Sequence, residues 1–148
     1  MIIGIASDHR GYEIKEQLKK ELDNYTIIDY GTYSEELTDY PKYAFDLSNA
    51  VINKEVDLGI ALCGTGIGIS IACNKVKGIR CAKIDSLSDA KSAKEHNNAN
   101  IIAFGAVSHN AQEIKEMINE FINSTFNSNP RYNMRIEQVE KFEETNEY

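Results

Sequence analysis

Apolar runs of strand length alternate with stretches of helical spacing along the whole of this 148-residue chain. This periodicity predicts strands over residues 2–6, 25–30, 57–62, 79–84 and 100–104. It predicts helices over residues 12–22, 43–52, 67–76, 86–96, 110–126 and 131–142. Repeated strand and helix units favour a parallel sheet, because each helix returns the chain to the edge where the next strand starts. We therefore expect an α/β protein with a three-layer Rossmann-like fold, in which a five-stranded parallel sheet carries helices on both faces and a C-terminal helix.

Length and composition limit the number of domains and the location. The chain can bury one good core but is too short for two ordinary domains, so we expect a single domain over residues 1–148 with a frayed acidic tail at 143–148. The apolar start is too short for a signal peptide, and no segment approaches transmembrane length. The three cysteines form no Cys-x-x-Cys pair, which favours reduced thiols. These features predict a cytoplasmic protein.

The net charge bears on the choice of partner. A formal charge of −7 argues against nucleic acid and against anionic membrane surfaces as partners. An anionic small molecule would therefore need a local basic pocket.

The third predicted strand ends in a thiol that three alternating glycines follow. Gly64, Gly66 and Gly68 allow positive φ and close approach to a ligand, and a predicted helix starts among them. Free N–H groups at such a helix start attract oxyanions and phosphates, and Cys63 and Thr65 would project into the same space. A helix start also favours thiolate over thiol. The segment therefore predicts a reactive thiol beside an anion-binding turn.

The segment does not match three other known motifs with glycine-rich loops or reactive thiols. The glycine spacing differs from the dinucleotide-binding fingerprint, and no Gly-Lys-Ser/Thr follows as in a Walker loop. The thiol does not begin the Cys-x₅-Arg run of a phosphotyrosine phosphatase. A cysteine at a strand end is, however, a frequent packing residue, so a packing role for Cys63 stays open at this point.

Polar residues follow several predicted strands at one sheet edge. The first strand leads into Asp8 and His9, the third into Cys63, and the fifth into Gly105. Ligands of open parallel sheets bind outside the carboxyl ends of the strands, so these residues are candidates for a site. An imidazole there can bind phosphate or transfer a proton. Asp8 and Tyr40 are further polar candidates, with turn formation and capping as the alternatives.

Two more groups of candidates lie near helix ends. His96 and Asn97 follow the fourth predicted helix, where the imidazole could again bind phosphate or move a proton. Arg131 and Arg135 stand four residues apart, which places both guanidinium groups on one helix face and suits a phosphate dianion. The alternative is a solvated surface pair that neighbouring glutamates stabilise.

Taken together, the motifs of this chain resemble the ribose-5-phosphate isomerase B family over nearly its whole length. The motifs are Ser7-Asp-His9, Thr38-Asp-Tyr-Pro41, Cys63-Gly-Thr-Gly-Ile-Gly-Ile-Ser70, Asn74-Lys75, Gly78-Ile-Arg80, His96-Asn97, Ala103-Phe-Gly105 and Arg131-x-x-x-Arg135. The wider family includes the galactose-6-phosphate isomerase subunits and isomerases of other sugar phosphates. Cys63 and Thr65 make this chain more similar to the ribose enzyme.

The resemblance implies interconversion of D-ribose 5-phosphate and D-ribulose 5-phosphate through an enediolate, in the non-oxidative pentose phosphate pathway. It implies no metal and no organic cofactor. By resemblance, Cys63 is the base that moves a proton between C1 and C2, and Thr65 holds the developing oxyanion together with backbone N–H groups. The residues that supply these N–H groups are Gly64, Gly66, Ile67 and Gly68.

The resemblance also implies roles for the remaining candidates. His96 assists opening of the furanose ring, with Asn97 beside it. The substrate contacts implied are Asp8, His9, Tyr40, Arg131 and Arg135, with the last two neutralising the phosphate that His9 reaches. The family is dimeric, so the resemblance implies a homodimer in which one subunit supplies His96 and Asn97 to the thiol of the other; a dimer of dimers stays open.

Two departures from the family pattern are visible. Position 107 is Val107, where the family usually has an arginine that helps bind phosphate from the neighbouring subunit, so the phosphate site is weaker or His109 substitutes in part. The segment 127–130 that leads into Arg131 differs in a way that could shift the arginine pair.

Two alternative functions follow. One is an isomerase of another sugar phosphate, such as galactose 6-phosphate, allose 6-phosphate or a tetrose phosphate. The other is a non-catalytic phosphate- or nucleotide-binding domain, in which Cys63 is dispensable and Asp85 binds a ribose.

Overall fold

In the computed structural model, which describes residues 1–148, the chain builds one sheet of five parallel strands between two layers of helices. The strands are β1 Ile2–Ser7, β2 Thr26–Asp29, β3 Leu58–Cys63, β4 Cys81–Lys83 and β5 Ile101–Gly105. The helices are α1 Tyr12–Glu21, α2 Tyr40–Ile52, α3 Ile67–Cys73, α4 Leu87–Glu95, α5 Ala111–Asn123 and α6 Pro130–Thr145. The predicted α/β class and the five-stranded parallel sheet are confirmed.

The order of strands across the sheet is β2-β1-β3-β5-β4, and every neighbouring pair is parallel. From β1 the chain first moves outward to β2 and then returns to form β3 on the other side of β1. The loops after β1 and β3 therefore diverge, which leaves a crevice at their carboxyl ends. The predicted site residues that follow β1 and β3 lie at this edge.

Two separate apolar cores cover the two faces of the sheet. One contains side chains of α1, α4 and α5, among them Leu18, Ala90 and Ile114, packed on inward residues such as Ile60. The other contains α2 and α3, and Cys63 belongs to it. Strand β3 is buried along its whole length, so its last residue is fixed in position by packing on both sides.

Several predicted helix ends differ from the structure for local reasons. Helix α2 begins at Tyr40, three residues before the predicted start, because Pro41 fits the first turn of a helix. Helix α3 ends at Cys73, because the side chain of Asn74 bonds to both the N–H and the carbonyl of Cys81. Helix α5 ends at Asn123, since Ser124 is extended. The edge strand β4 has only three residues of the six predicted.

Helix α6 is longer at its C-terminal end than predicted. The prediction ended it at residue 142 and left 143–148 frayed, but the helix continues to Thr145. The carboxylate of Glu143 accepts a hydrogen bond from the N–H of Gly78 at 2.8 Å, and this contact holds the last turn against the body of the protein. The predicted frayed tail is therefore wrong for residues 143–145. None of the helices combines the length and apolarity needed to cross a membrane.

Candidate active site

The loop after β1 is organised by the carboxylate of Asp8, which is only 5% exposed. Its Oδ1 accepts the N–H groups of Arg10 at 2.9 Å and Gly11 at 3.1 Å. The turn-forming alternative for Asp8 therefore holds for this oxygen. No hydrogen bond within the chain uses Oδ2, which is left for a ligand.

His9 and Tyr40 border the same crevice from neighbouring loops. Nδ1 of His9 lies 3.0 Å from the carbonyl oxygen of Thr38 and 3.3 Å from its N–H, so one tautomer donates and the other accepts. Nε2 of His9 has no partner in the chain. The ring of Tyr40 lies so close to Gly68 that a Cβ there would stand 2.7 Å from two ring atoms. The structure thus brings Tyr40 to the glycine turn, and His9 contacts Thr38 in the loop that leads to Tyr40.

The thiol of Cys63 is buried at the end of β3 and is 4% exposed. The N–H of Gly66 donates a hydrogen bond to its Sγ at 3.1 Å. Gly66 makes this contact with φ of +77°, and a Cβ there would stand 2.8 Å from the carbonyl carbon of Phe104. Only glycine fits both conditions without strain. A hydrogen bond from an N–H group to sulfur is stronger when the sulfur carries negative charge.

The rest of the turn presents unused donors. The hydroxyl of Thr65 accepts the N–H of Ile67 at 3.2 Å, and the Thr65 side chain is exposed. No acceptor in the chain receives the N–H groups of Gly64, Thr65 or Gly68. Unpaired backbone donors around a thiol are suited to an oxyanion. The predicted turn with free backbone donors is therefore present, although its helix α3 has only seven residues, and anion binding there stays a prediction.

The loop after β5 forms two backbone hydrogen bonds with the turn that contains Cys63. The N–H of Ala106 donates to the carbonyl of Cys63 at 2.9 Å, and the N–H of Val107 donates to the carbonyl of Gly64 at 3.0 Å. The side chain of Val107 remains 62% exposed. The carboxyl ends of β1, β3 and β5 thus form one continuous edge around Cys63.

The structure does not bring His96 to this edge. Helix α4 starts after β4 and runs back across the sheet, so His96 lies near the amino ends of the strands. β3 has six residues, which corresponds to about 20 Å between the two edges. The ring of His96 stacks on Tyr132 of α6, with centroids 4.6 Å apart and planes 9° from parallel.

Asn97 and Arg135 accompany His96 at the amino edge. Both line a cavity of about 420 Å³ between α6 and the start of β4. Arg131 lies in a different, open depression at the start of α6, so the two arginines share a helix but not a pocket. Neither arginine has a carboxylate within 4.0 Å: Glu137 accepts a hydrogen bond from Asn133, and Glu140 pairs with Arg80. The alternative of a surface pair stabilised by glutamates does not hold.

Two expectations at the carboxyl edge are wrong. Nε2 of His109 lies 3.2 Å from Asp85 and Nδ1 lies 3.3 Å from Glu113, so its ring is held between two carboxylates and is poorly placed to receive a phosphate. Asp85 is also bonded to Lys83, and this bond lowers the pKa of the Asp85 carboxyl. Asp85 is therefore already engaged and is not available as a ribose ligand.

Arg10 is a residue that the sequence patterns did not single out. Its guanidinium group packs directly against Gly64, the residue after the thiol. The signal was present in the sequence, because a cation directly follows Asp8 and His9 at the end of a strand. Its proximity to Gly64 depends on the pairing of β1 with β3, which no local pattern shows.

Comparison with known proteins gives consistent results. A model of the family described as Ribose/Galactose Isomerase matches residues 3–139. The chain is 40% identical over 149 residues to the putative sugar phosphate isomerase YwlF of Bacillus subtilis, with 99% of each chain covered. It is 35% identical over 144 residues to the ribose-5-phosphate isomerase B of Escherichia coli, with 96% of each chain covered.

Structural comparison agrees with these matches. The solved structure of ribose-5-phosphate isomerase B from Clostridium thermocellum superimposes with a TM-score of 0.95 at 37% identity, covering 99% of this chain and 100% of that chain. The fold and the edge site define an α/β enzyme of the Rossmann-like type. The chain belongs to the ribose/galactose isomerase family, and it is an isomerase.

Proposed function

We propose that this isomerase interconverts D-ribose 5-phosphate and D-ribulose 5-phosphate in the cytoplasm, as a step of the non-oxidative pentose phosphate pathway. The observation that carries the proposal is the position of the Cys63 thiol at the end of β3. It accepts a hydrogen bond from the N–H of Gly66 and has unpaired backbone donors around it. The E. coli relative named ribose-5-phosphate isomerase B supports the choice of substrate.

The geometry suits an enediolate mechanism with Cys63 as the base. The thiolate of Cys63 removes the proton from C2 of the open-chain aldose, and the electron pair forms the enediolate. The free N–H groups of Gly64, Thr65 and Gly68, with the Thr65 hydroxyl, are placed to stabilise the negative oxygen. The thiol then returns this proton to C1, and the hydroxyl proton of O2 passes to O1, which gives the ketose. Cys63 only carries the proton from C2 to C1 and the electron pair stays in the substrate, so the step needs no redox cofactor.

We propose further that the active enzyme is a dimer with shared sites. The family resemblance implies that His96 assists opening of the furanose ring. Within one chain, however, His96 and Cys63 lie at opposite edges of the sheet. A second copy would bring its amino edge, with His96, Asn97, Arg131 and Arg135, to the thiol of the first. Exposed apolar side chains are available for such contacts. Ile67, Ile71 and Val107 lie at or near the thiol edge, which is the edge of the sheet that holds Cys63, and Val139 lies on α6.

The proposal is tested with the purified protein and D-ribose 5-phosphate in the presence of a chelator. We expect formation of ribulose 5-phosphate, and a loss of kcat of about 10²- to 10⁴-fold in Cys63→Ser, because a general base contributes in this range. The Cys73→Ala variant is the control, since this buried thiol lies at the far end of α3. Near-normal kcat in Cys63→Ser would show that the thiol is not the base.

Galactose 6-phosphate is assayed in parallel, because the family description includes both sugars. Turnover of the hexose phosphate without turnover of the pentose phosphate would move the assignment within the family. The absence of turnover on both would reject the proposed reaction.

A further inference from the structure

Arg10 is an arginine without an anionic partner at the thiol edge. The chain has four arginines, of which Arg80 is paired and two lie on α6 at or near the amino edge. No carboxylate lies within 4.0 Å of the Arg10 side chain, and its guanidinium donates no hydrogen bond within the chain. Its backbone N–H is fixed by Asp8, so the start of the side chain is held in place. An exposed and unpaired guanidinium with five donors is suited to an anionic ligand.

The guanidinium of Arg10 lies over the turn that follows the thiol. A Cβ on Gly64 would overlap Cζ and Nη1 of Arg10 and stand 2.6 Å from Nε. The group therefore rests in van der Waals contact with the backbone of Gly64, whose N–H has no acceptor. An anion next to Gly64 would meet the guanidinium donors of Arg10.

The two residues that contact Gly64 differ in charge. On one side is the Arg10 guanidinium, and on the other the N–H of Val107 donates to the Gly64 carbonyl. Position 107 is where the resemblance led us to expect an arginine, and the valine there is 62% exposed and uncharged. Position 10 through its side chain and position 107 through its backbone therefore contact the same glycine.

We propose that Arg10 binds the phosphate group of the substrate at the Cys63 site and supplies the cation that position 107 lacks. This inference rests on the proposed function, because it names a phosphate contact of that same site. The protein has a net charge of −7, and Asp8 adds a local carboxylate, so a cation from the same chain would assist the two arginines that a second copy is proposed to bring. A planar guanidinium meets phosphate oxygens through two parallel hydrogen bonds.

The test compares four proteins: the wild type, Arg10→Ala, Arg10→Ala combined with Val107→Arg, and the control Lys20→Ala. Lys20 is exposed at the end of α1 and has no ion pair, so its removal makes the same change in charge away from the site. Arg10→Ala is expected to raise KM for D-ribose 5-phosphate about 10- to 100-fold, as for loss of a charge-assisted contact. The Ki of inorganic phosphate rises by the same factor, and kcat stays within about threefold.

The double variant separates binding from a structural role. If Arg10 binds phosphate, the arginine at position 107 restores KM and Ki in the absence of Arg10. A KM and a Ki that do not change in Arg10→Ala would overturn the proposal. So would a parallel fall in kcat and thermal stability that Val107→Arg leaves unrepaired, because this would assign Arg10 a structural role.

Direct calorimetric titration with inorganic phosphate keeps this test independent of the isomerase assay. If the wild type does not turn over ribose 5-phosphate but binds phosphate more tightly than Arg10→Ala, the proposed reaction fails and Arg10 remains a phosphate ligand. Equal binding of phosphate by the two proteins rejects the role of Arg10, whatever the result of the assay.

Discussion

At the scale of single residues, the turn after Cys63 places a thiol beside a backbone conformation that only glycine permits. Gly66 has positive φ, donates its N–H to Cys63, and leaves no room for a side chain beside Phe104. The buried thiol, which could have been a packing residue, is thus also held by a directed hydrogen bond. Cys63 packs in the core and also accepts a hydrogen bond at the crevice, which is compatible with the proposed role as a base.

The Gly66→Ala variant tests this backbone requirement. The positive φ and the short contact with the Phe104 carbonyl should together destabilise the fold by roughly 1–3 kcal/mol or more. Urea denaturation monitored by circular dichroism measures the free energy of unfolding. An unchanged midpoint and full activity would show that the turn is less constrained than its geometry indicates.

Thr65 provides a second test at this scale. Thr65→Ala is expected to lower kcat about 10²- to 10³-fold, the usual effect of losing one oxyanion donor. Thr65→Ser keeps the hydroxyl and should retain most of the activity. A loss well below tenfold in Thr65→Ala would contradict the role of this hydroxyl, and steady-state kinetics on ribose 5-phosphate decides between these outcomes.

The residues at the thiol turn could be predicted because their signal is local: a buried strand, a thiol and spaced glycines occur within one short segment. Arg10 could not be placed in the same way, since its contact with Gly64 arises from the pairing of β1 with β3. His109 gave the opposite error. Asp85 follows β4 and Glu113 lies in α5. Only the folded structure shows that both carboxylates contact the His109 ring.

At the scale of elements, a buried ion cluster fixes the end of β2 and the loop that leads to Tyr40. Nζ of Lys15 has no exposed surface and lies 2.6 Å from Asp29, which also accepts Lys19 at 2.7 Å. The other oxygen of Asp29 accepts the N–H of Gly31 at 2.9 Å. Burial raises the pKa of the Asp29 carboxyl, but the hydrogen bonds from Lys15, Lys19 and Gly31 outweigh it and leave the pKa below its usual value.

This cluster makes acid stability depend on Asp29. A folded-state pKa below the unfolded value means that the stabilisation is present above about pH 4 and is lost as the pH falls through the lower folded value. Asp29→Asn should therefore destabilise the protein at neutral pH, by about 3 kcal/mol because Lys15 stays buried, and should flatten the pH dependence below pH 4. Urea denaturation between pH 2 and about 7 tests this, with the exposed Asp46→Asn as control.

Helix α6 positions the predicted ring-opening residue at the amino edge. His96 stacks on Tyr132, and the N–H of Asn127 donates to the carbonyl of Glu95, which ties the approach of α6 to the end of α4. Tyr132→Ala should reduce turnover of ribose 5-phosphate by up to about tenfold, the value of one stacking contact, while Tyr132→Phe retains the stack and the activity. Equal activity of the two variants would show that the stack does not position His96.

Periodicity predicted the existence and type of every element but not all of their ends. Helix α3 ends early because Asn74 binds Cys81, and α6 extends because Glu143 binds Gly78. Both contacts join residues from different elements. Such ends are decided by tertiary hydrogen bonds, which a local pattern does not contain.

At the scale of the whole molecule, the predicted site residues divide between two edges of the sheet. The thiol edge holds Asp8, His9, Tyr40 and Cys63, next to Arg10, which the sequence did not single out, and the amino edge holds His96, Asn97 and Arg135. The sequence could identify both groups but not their separation, which follows from the direction of α4. The shared site proposed above would combine the thiol edge of one chain with the amino edge of a second.

A heterodimer experiment tests this account most directly. Cys63→Ser and His96→Ala chains carry different tags, are co-expressed, and the mixed dimer is isolated by two successive affinity steps. Each parental homodimer is expected to be nearly inactive on D-ribose 5-phosphate. The mixed dimer has one site with both defects and one with neither, so it should recover about half of the wild-type activity. A mixed dimer as inactive as its parents, or a fully active monomer in light scattering, would contradict the shared site.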